Sequence, residues 1–187
     1  MNQAAPLPPL APATQQVISL MREEAHTYRQ PLVGTEHLLL GLIRAPGAAA
    51  RVLAAFDVTL PRAHDAVELL AGHGARRPAA DSPLNLTQRT LDVFLLADRL
   101  RRALDQAAVD TAHLLLALLD IPGSAAHGVL QTLGVEREYI RTSVLATLGG
   151  PPPLPTSEQP NAAQLTHLDA RGQARMVDVG DKASTAR

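Results

Sequence analysis

Three polar residues stand directly before a run of leucines, and their types could serve a binding site. In VGTEHLLLGLI, residues 33–43, Thr35 supplies a hydroxyl, Glu36 a carboxylate and His37 an imidazole. If a helix begins at Glu36, Thr35 is predicted to be its N-cap, and Glu36 complements the positive end of the helix dipole. His37 is then a partly buried spacer. The alternative is that these residues form a small polar site at the mouth of the helix.

A second copy of this motif follows later in the chain. VDTAHLLLALL, residues 109–119, keeps Thr111 and His113 but has Ala112 where the first copy has a glutamate. Thr111 is predicted to cap its helix as Thr35 does. Asp110 replaces a glycine of the first copy and, one residue away, is expected to point elsewhere. The second copy is therefore predicted to lack the charge of the first.

The remaining residue types offer little other chemistry. The chain has no cysteine, which excludes disulfides, thiolate metal sites and a cysteine nucleophile. Its seven histidines form no HxH or HxxxH pair with a completing carboxylate cluster, so no metal site is predicted. The serines have no GxSxG context. We therefore predict no catalytic residues and no cofactor.

Composition narrows the class of partner. The formal net charge is −1 and aromatic residues make up 2% of the 187 residues, so neither bulk charge nor base stacking favours a nucleic-acid partner. The apolar segments are too short to cross a bilayer, and MNQAAPLPPLAPA does not have the pattern of a signal peptide. A location in the bacterial cytoplasm is expected, with no membrane partner.

The elements that would position these residues occur twice. Helical spacing predicts helices over residues 14–29, 36–44, 48–56 and 60–70, followed by a linker to about residue 83. A displacement of 76 residues superposes Thr35 on Thr111, His37 on His113 and the leucine runs on each other. The sequence thus predicts an all-α fold, a tandem repeat of two four-helix units packed as one pseudo-two-fold domain. The predicted boundaries are a flexible N-terminus over 1–12, repeat 1 over 13–74 and repeat 2 over 86–148.

These repeats resemble the N-terminal domain of the Clp ATPases of the ClpA and ClpC type. The resemblance covers about residues 10–148 and is carried by EEAHTYRQPLVGTEHLLLGLI, RVLAAFDVTLPRAHDAV, DTAHLLLALL and VLQTLGVEREYI. It implies a site for phosphorylated arginine on client proteins, with Thr35 and Glu36 in the first copy and Thr111 in the second. Ala112 stands where the second glutamate would be, so at most one working site is expected. The sequence contains no Walker A motif.

The chain changes character after Leu148. Residues 149–163 form a proline-rich segment that is predicted to be an extended or disordered linker. LTHLDARGQARMVDVGDKASTAR then resembles the start of cyclic pyranopterin monophosphate synthase, the molybdenum cofactor biosynthesis protein C. Residues 164–187 would be the truncated start of such a domain, with one short orphan strand around Met176–Val179. The catalytic residues of that family lie downstream, and the present chain stops before them.

Two functions follow from these resemblances. The first is a non-enzymatic module that binds protein clients or adaptors, in association with a Clp ATPase or protease. The alternative is the N-terminal part of a fusion with the synthase, whose catalytic part is missing here. The leucine runs 38–40 and 114–116 are predicted to be core. An apolar groove between the repeats that accepts a client or adaptor helix is the other possibility for them.

Overall fold

A computed structural model describes residues 8–74 and 85–149 of the chain. In this part of the chain eight helices follow one another, and the predicted all-α fold of two four-helix units is confirmed. They are α1 (Pro12–Thr27), α2 (Thr35–Arg44), α3 (Ala48–Ala55) and α4 (Leu60–Ala71) in repeat 1, and α5 (Gln88–Ala103), α6 (Thr111–Asp120), α7 (Ala125–Thr132) and α8 (Arg137–Thr147) in repeat 2. The proline-rich stretch from residue 150 and the strand predicted near Met176 lie outside the described residues.

Proline positions set the start of two helices. Pro12 and Pro61 both occupy the first turn, of α1 and α4 respectively, where the missing N–H has no intrahelical partner to lose. Because Pro12 fits this position, α1 begins two residues earlier than the predicted Thr14. Its buried face is formed by side chains at helical spacing, among them Val17, Leu20, Met21, Glu24 and Ala25.

The core is built around α2 and α6. Both helices are buried on nearly all sides, and the leucine runs 38–40 and 114–116 are at most 2% exposed. This burial confirms the prediction that these runs are core. Each fully buried leucine contributes about 1.5–3 kcal/mol to the stability of the fold. α2 achieves such burial because α1, α3 and α4 of its own repeat and α6 and α7 of the other repeat all pack against it.

The two repeats pack through corresponding surfaces. α4 of repeat 1 packs on α7 of repeat 2. The helices at the corresponding positions, α8 of repeat 2 and α3 of repeat 1, also pack on each other. The same holds for the contacts of α2 with α7 and of α6 with α3, while α2 and α6 meet each other. This is the arrangement expected of a pseudo-two-fold domain.

The segments that lead into each repeat also cross to the other repeat. Leu10 forms a parallel bridge with Val109, and Leu86 forms the same bridge with Val33. The Ala11 N–H donates to the Val109 carbonyl at 3.0 Å, and the Val109 N–H donates to the Pro9 carbonyl at 2.8 Å. Residues 9–11 belong to the N-terminus that the sequence predicts to be flexible. They are held in place because the loop before α6 offers them a backbone donor and acceptor.

Across residues 8–74 and 85–149, no single helix combines the length and the apolar character needed to cross a membrane. α2 with α3, and α6 with α7, meet those criteria only as pairs, and these are bent by 94° and 90°.

Candidate functional site

The start of α2 differs from the prediction. The N-cap is Gly34, and Thr35 is the first residue inside the helix. His37 supplies the capping contact, because its Nδ1 accepts a hydrogen bond from the Gly34 N–H at 3.0 Å. The start of α6 is built in the same way, with the His113 Nδ1 accepting from the Asp110 N–H at 3.0 Å. The predicted N-cap role of the two threonines is therefore wrong.

The two threonines instead cap helices of the other repeat. The Ala126 N–H in the first turn of α7 donates to the Thr35 hydroxyl at 3.3 Å. In the equivalent contact, the Ala49 N–H in the first turn of α3 donates to the Thr111 hydroxyl at 3.4 Å. Thr35 is 3% exposed and Thr111 is fully buried. Their hydroxyls thus satisfy helix amides across the interface between the repeats.

Gly47 makes one of these contacts possible. It is the N-cap of α3, and a Cβ at this position would overlap the Thr111 hydroxyl. The N-cap of α7 is Ser124, whose own hydroxyl accepts from the His127 N–H at 3.3 Å. α3 therefore depends on Thr111 for a hydroxyl, whereas α7 has Ser124 as well as Thr35.

His37 is fully buried, and its environment fixes its charge. Burial lowers the pKa of His37 to about 4. Because Nδ1 accepts from a backbone N–H, the neutral imidazole carries its proton on Nε2. That Nε2 has no hydrogen-bond partner among the described residues. His37 was predicted to be a partly buried spacer, but it is a buried neutral hydrogen-bond acceptor. Burial lowers the pKa of His113 as well.

The Glu36 carboxylate folds back over the start of its own helix. It occupies the space beside Gly34 so closely that a Cβ at position 34 would overlap it. Glu36 is 8% exposed. Burial raises the pKa of Glu36, and a hydrogen bond from its own backbone N–H opposes that rise. Its Oε1 lies 3.3 Å from the His37 Nδ1, but the neutral state of His37 means that the two do not form an ion pair.

The second copy has not lost its charge. The Asp110 carboxylate accepts from the Ala112 N–H at 2.9 Å and from the Thr111 hydroxyl at 3.2 Å. Ala112 is the residue that corresponds to Glu36, so a carboxylate reaches the same backbone N–H in both repeats. The expectation that Asp110 points elsewhere is wrong. Its side chain starts at the N-cap, where Gly34 leaves room for the carboxylate of Glu36 in repeat 1.

A polar cluster that the sequence-based reasoning missed lies beside α2. The Glu24 side chain is 4% exposed, and its carboxylate lies 2.7 Å from Arg44 Nη1 and 3.1 Å from His64 Nε2. Tyr28 packs its ring on His64, with centroids 5.8 Å apart, and donates its hydroxyl to the His64 carbonyl at 3.2 Å. The sequence signal was present, because Glu24 falls on the apolar face of α1, three residues after Met21. No group of three or more potential metal ligands occurs in the described part of the chain.

One surface lies open between the repeats. We call it the α4–α7 groove, and it is lined by Arg62, Asp65, Ala66, Leu69, Thr132 and Leu133. Its volume is about 200 Å³. The Arg62 guanidinium is part of the lining of the groove. It donates to the Asp57 carbonyl at 2.7 Å, to the Asp57 carboxylate and to the Leu133 carbonyl at 3.4 Å, so it joins the two repeats.

Known families and sequences match this part of the chain. The family model of the Clp repeat (R) N-terminal domain matches residues 10–133. The ATP-dependent Clp protease ATP-binding subunit ClpC of Staphylococcus saprophyticus is 36% identical over 143 residues, which are 76% of this chain and 17% of that protein. ClpC of Staphylococcus epidermidis is 35% identical over 143 residues, which are again 76% of this chain and 17% of that protein. The chain thus spans about a sixth of the length of these curated relatives.

Solved structures share the fold. The N-terminal domain of ClpD from Arabidopsis thaliana has a TM-score of 0.62 at 24% identity and covers 75% of this chain and 95% of its own. The Hsp104 N-terminal domain from Candida albicans has a TM-score of 0.61 at 14% identity, covering 77% and 94%. A complex of the ClpV N-domain with VipB peptide has a TM-score of 0.51 at 16% identity, covering 79% and 97%.

The extent of these matches determines which of the predictions they test. They reach the helical repeats, whereas the resemblance of residues 164–187 to the pyranopterin synthase lies outside both the family match and the described residues, and stays a prediction. The relatives are named as ATP-binding subunits, whereas the family model that matches residues 10–133 is that of an N-terminal repeat domain. With its two interlocked four-helix units, the chain belongs to the family of the Clp repeat (R) N-terminal domain.

Proposed function

We propose that this chain is a non-enzymatic module that binds segments of client or adaptor proteins for a Clp chaperone or protease of the bacterial cytoplasm. Membership of the Clp repeat N-terminal domain family carries this proposal. Further support comes from the similarity to ClpC, a subunit of an ATP-dependent protease, and from the fold shared with a ClpV N-domain that was solved with a peptide. The α4–α7 groove offers an open surface on which such a segment could lie.

An unfolded protein tests this general function. Reduced and carboxymethylated α-lactalbumin, labelled with fluorescein, is titrated with the chain and followed by fluorescence anisotropy. We expect a saturable rise in anisotropy that the unlabelled unfolded protein reverses and native α-lactalbumin does not. No saturable rise, or equal competition by the native protein, would contradict binding of exposed client segments.

We further propose that Glu36 accepts the guanidinium of a phosphorylated arginine on the client. A carboxylate can take a bidentate hydrogen bond from a guanidinium, and the start of a helix favours the neighbouring phosphate. The threonine hydroxyls are engaged with amides of the other repeat, so the proposal rests on the carboxylates and not on Thr35 or Thr111. Asp110, whose carboxylate reaches the equivalent amide, is the corresponding acceptor in repeat 2.

A phosphoarginine peptide tests the role of Glu36. Wild-type protein is titrated with this peptide and with the same peptide carrying plain arginine, by isothermal calorimetry. We expect Glu36→Gln to weaken binding of the phosphoarginine peptide by roughly 10- to 100-fold, because a charge-assisted hydrogen bond contributes about 1.5–3 kcal/mol. The exposed Glu138→Gln serves as the control and should bind as the wild type does.

Two results bear directly on this second proposal. Unchanged affinity in Glu36→Gln would sink the assignment of Glu36, while leaving the binding of unfolded protein intact. The double variant Glu36→Gln, Asp110→Asn is expected to lose the binding that remains in the single variant. If the double variant binds as tightly as Glu36→Gln, Asp110 is not a second acceptor.

A further inference from the structure

The end of α4 carries two exposed leucines, one of which lines the α4–α7 groove. Leu69 is 77% exposed and Leu70 is 53% exposed, both near the end of α4. After the one-residue insertion in repeat 2, the positions that correspond to them on α8 are Ala146 and Thr147. α8 packs on α3 as α4 packs on α7. The same architecture is thus built without leucine at either position, so burial in the core does not explain Leu69.

The shape of the groove suits a single apolar side chain. Gly128 on α7 allows Leu70 to come close, since a Cβ at position 128 would stand 3.3 Å from the Leu70 Cδ1. Beside this contact, Ala66, Leu69 and Leu133 form the apolar part of a depression of about 200 Å³. That volume is below the roughly 300–1,000 Å³ of small-molecule sites, so one anchoring side chain of a protein partner fits it better than a free ligand.

Among residues 8–74 and 85–149, exposed carboxylates stand beside the groove on α4. The guanidinium of Arg62 is neutralised by its ion pair with Asp57. Asp65 is exposed and forms no salt bridge within residues 8–74 and 85–149. Glu68, one turn further along α4, is also exposed, and the nitrogen of a basic residue that comes within 4.0 Å of its carboxylate in the same ranges is the His73 Nδ1. A partner that places lysine or arginine next to its apolar anchor would complement these carboxylates.

We propose that the α4–α7 groove docks a basic amphipathic helix of a client or adaptor protein. One large apolar side chain of that helix enters between Leu69 and Leu133, and its flanking lysines or arginines face Asp65 and Glu68. An apolar face laid between two helices, with anchors one turn apart, is a recurrent mode of peptide recognition. This inference rests on the proposed function as a binding module and names both its surface and the chemistry of its partner.

A pair of designed peptides tests the groove. One is a short amphipathic helix of leucine, alanine and lysine, and the other has glutamate in place of every lysine. Both are labelled and titrated with the protein by fluorescence anisotropy. We expect the lysine peptide to bind and the glutamate peptide not to bind. Leu69→Asp should weaken binding of the lysine peptide by at least roughly ten-fold, as expected for a residue central to an interface.

The second variant reverses the charge of the groove. Asp65→Lys should shift the preference toward the glutamate peptide, because the carboxylate that faces the lysines has been replaced by a cation. The pseudo-symmetry of the domain supplies matched controls, Ala146→Asp for Leu69→Asp and Thr142→Lys for Asp65→Lys. Ala146→Asp alters the net charge by −1, as Leu69→Asp does, and Thr142→Lys adds one positive charge where Asp65→Lys adds two. Both controls lie on α8, and both should bind the lysine peptide as the wild type does.

Three results would overturn the inference. They are failure of the wild type to bind the lysine peptide, equal loss in Leu69→Asp and Ala146→Asp, and unaltered peptide preference in Asp65→Lys. Titration of the same variants with unfolded α-lactalbumin separates this inference from the general proposal. If unfolded protein binds the wild type and Leu69→Asp equally, the groove is not its docking surface, although the chain is still a binding module.

Discussion

At the scale of single residues, a histidine takes the part that glutamate or glutamine has in a capping box. His37 and His113 each accept the N–H of the residue three positions earlier, and both are buried. A protonated imidazole has no lone pair for this bond, so the cap exists only in the neutral form. Glutamine at the same position could accept the same N–H without titrating.

His37 is expected to make stability depend on pH. Because its pKa is about 4 in the folded chain and near 6.5 in the unfolded chain, only the unfolded chain takes up this proton as the pH falls between those values. The contribution of His37 to the free energy of unfolding is therefore fully present above pH 6.5. About 3 kcal/mol of it is lost as the pH falls to about 4. Glu36 acts in the opposite direction, since its raised pKa means that the folded chain binds the proton first.

Denaturant unfolding of wild type and His37→Gln across this pH range checks the expectation. The loss of unfolding free energy toward pH 4 should be smaller in His37→Gln by up to about 3 kcal/mol. His26→Gln is the control, since His26 forms no cap. Parallel pH profiles for wild type and His37→Gln would show that His37 is not the titrating group.

We expect substitution of the buried threonines to change stability and not binding. Thr111→Val keeps the shape of the side chain but leaves the Ala49 N–H without its acceptor. We expect a loss of about 1–2 kcal/mol in the free energy of unfolding, as for other lost helix caps. Thr35→Val should cost less, because Ser124 still caps α7. The exposed Thr142→Val provides the reference, and equal values for Thr111→Val and Thr142→Val would contradict a capping role across the repeats.

At the scale of elements, α2 and α6 each begin with a carboxylate that accepts the same backbone N–H, but the carboxylate comes from a different position in each helix. Gly34 and Glu36 open α2, whereas Asp110 and Ala112 open α6. The backbone is alike in both, with φ and ψ of −89° and 178° at Gly34 and −90° and 165° at Asp110. Glycine at position 34 is therefore not needed for an unusual dihedral angle. It instead leaves open the space of a Cβ, which the Glu36 carboxylate occupies.

A double-mutant cycle tests this exchange between positions. Gly34→Asp alone should destabilise the protein, since the new side chain overlaps the Glu36 carboxylate and adds a like charge. The double variant Gly34→Asp, Glu36→Ala recreates the start of α6 and should recover most of that loss. We expect a favourable coupling of about 1–2 kcal/mol from chemical denaturation, which is typical of residues in contact. Additive effects would mean that the two carboxylates do not share one place.

The sequence predicts these elements better than their ends. Helical periodicity and the 76-residue repeat yield four helices per repeat, and in repeat 1 the predicted helix boundaries lie within about two residues of the observed ones. The cap of α2 was mistaken because a threonine before a leucine run normally caps its own helix. Its hydroxyl is taken by Ala126, which is 91 positions away in the chain. No local pattern identifies a donor at that distance. The role of Asp110 is local by contrast, since its carboxylate accepts the N–H of Ala112 two positions later, and the preference for aspartate at the N-cap could have indicated it.

At the scale of the whole molecule, neither repeat completes its own hydrogen bonds. Val33 binds Asn85 and Thr87 through its backbone, and Val109 binds Pro9 and Ala11. Helix amides are satisfied across the same interface, and α2 and α6 bury their leucines against both repeats. Each four-helix unit would leave backbone groups and apolar side chains exposed if it stood alone. The sequence predicted that the units pack together, but not that they exchange their leading segments.

We therefore expect the two repeats to unfold in one cooperative transition. The chain has two tyrosines and no tryptophan, and Tyr28 and Tyr139 lie in different repeats. In Tyr28→Phe only repeat 2 carries a fluorescent reporter, and in Tyr139→Phe only repeat 1 does. Within each variant, the midpoints of urea unfolding from tyrosine fluorescence and from far-UV circular dichroism should coincide. Separate midpoints for the two repeats would contradict this interlocked folding unit.

The bridge between Leu10 and Val109 has a consequence for synthesis on the ribosome. The start of the chain is translated first, yet its backbone partner follows about a hundred residues later, which is a contact of high sequence separation. Until α6 has left the exit tunnel, α1 to α4 can form helices but cannot bury the leucines of α2 completely. Nascent chains arrested before Val109 should thus expose Leu38–Leu40 to trigger-factor-type holdases, whereas chains arrested after α8 has emerged should not.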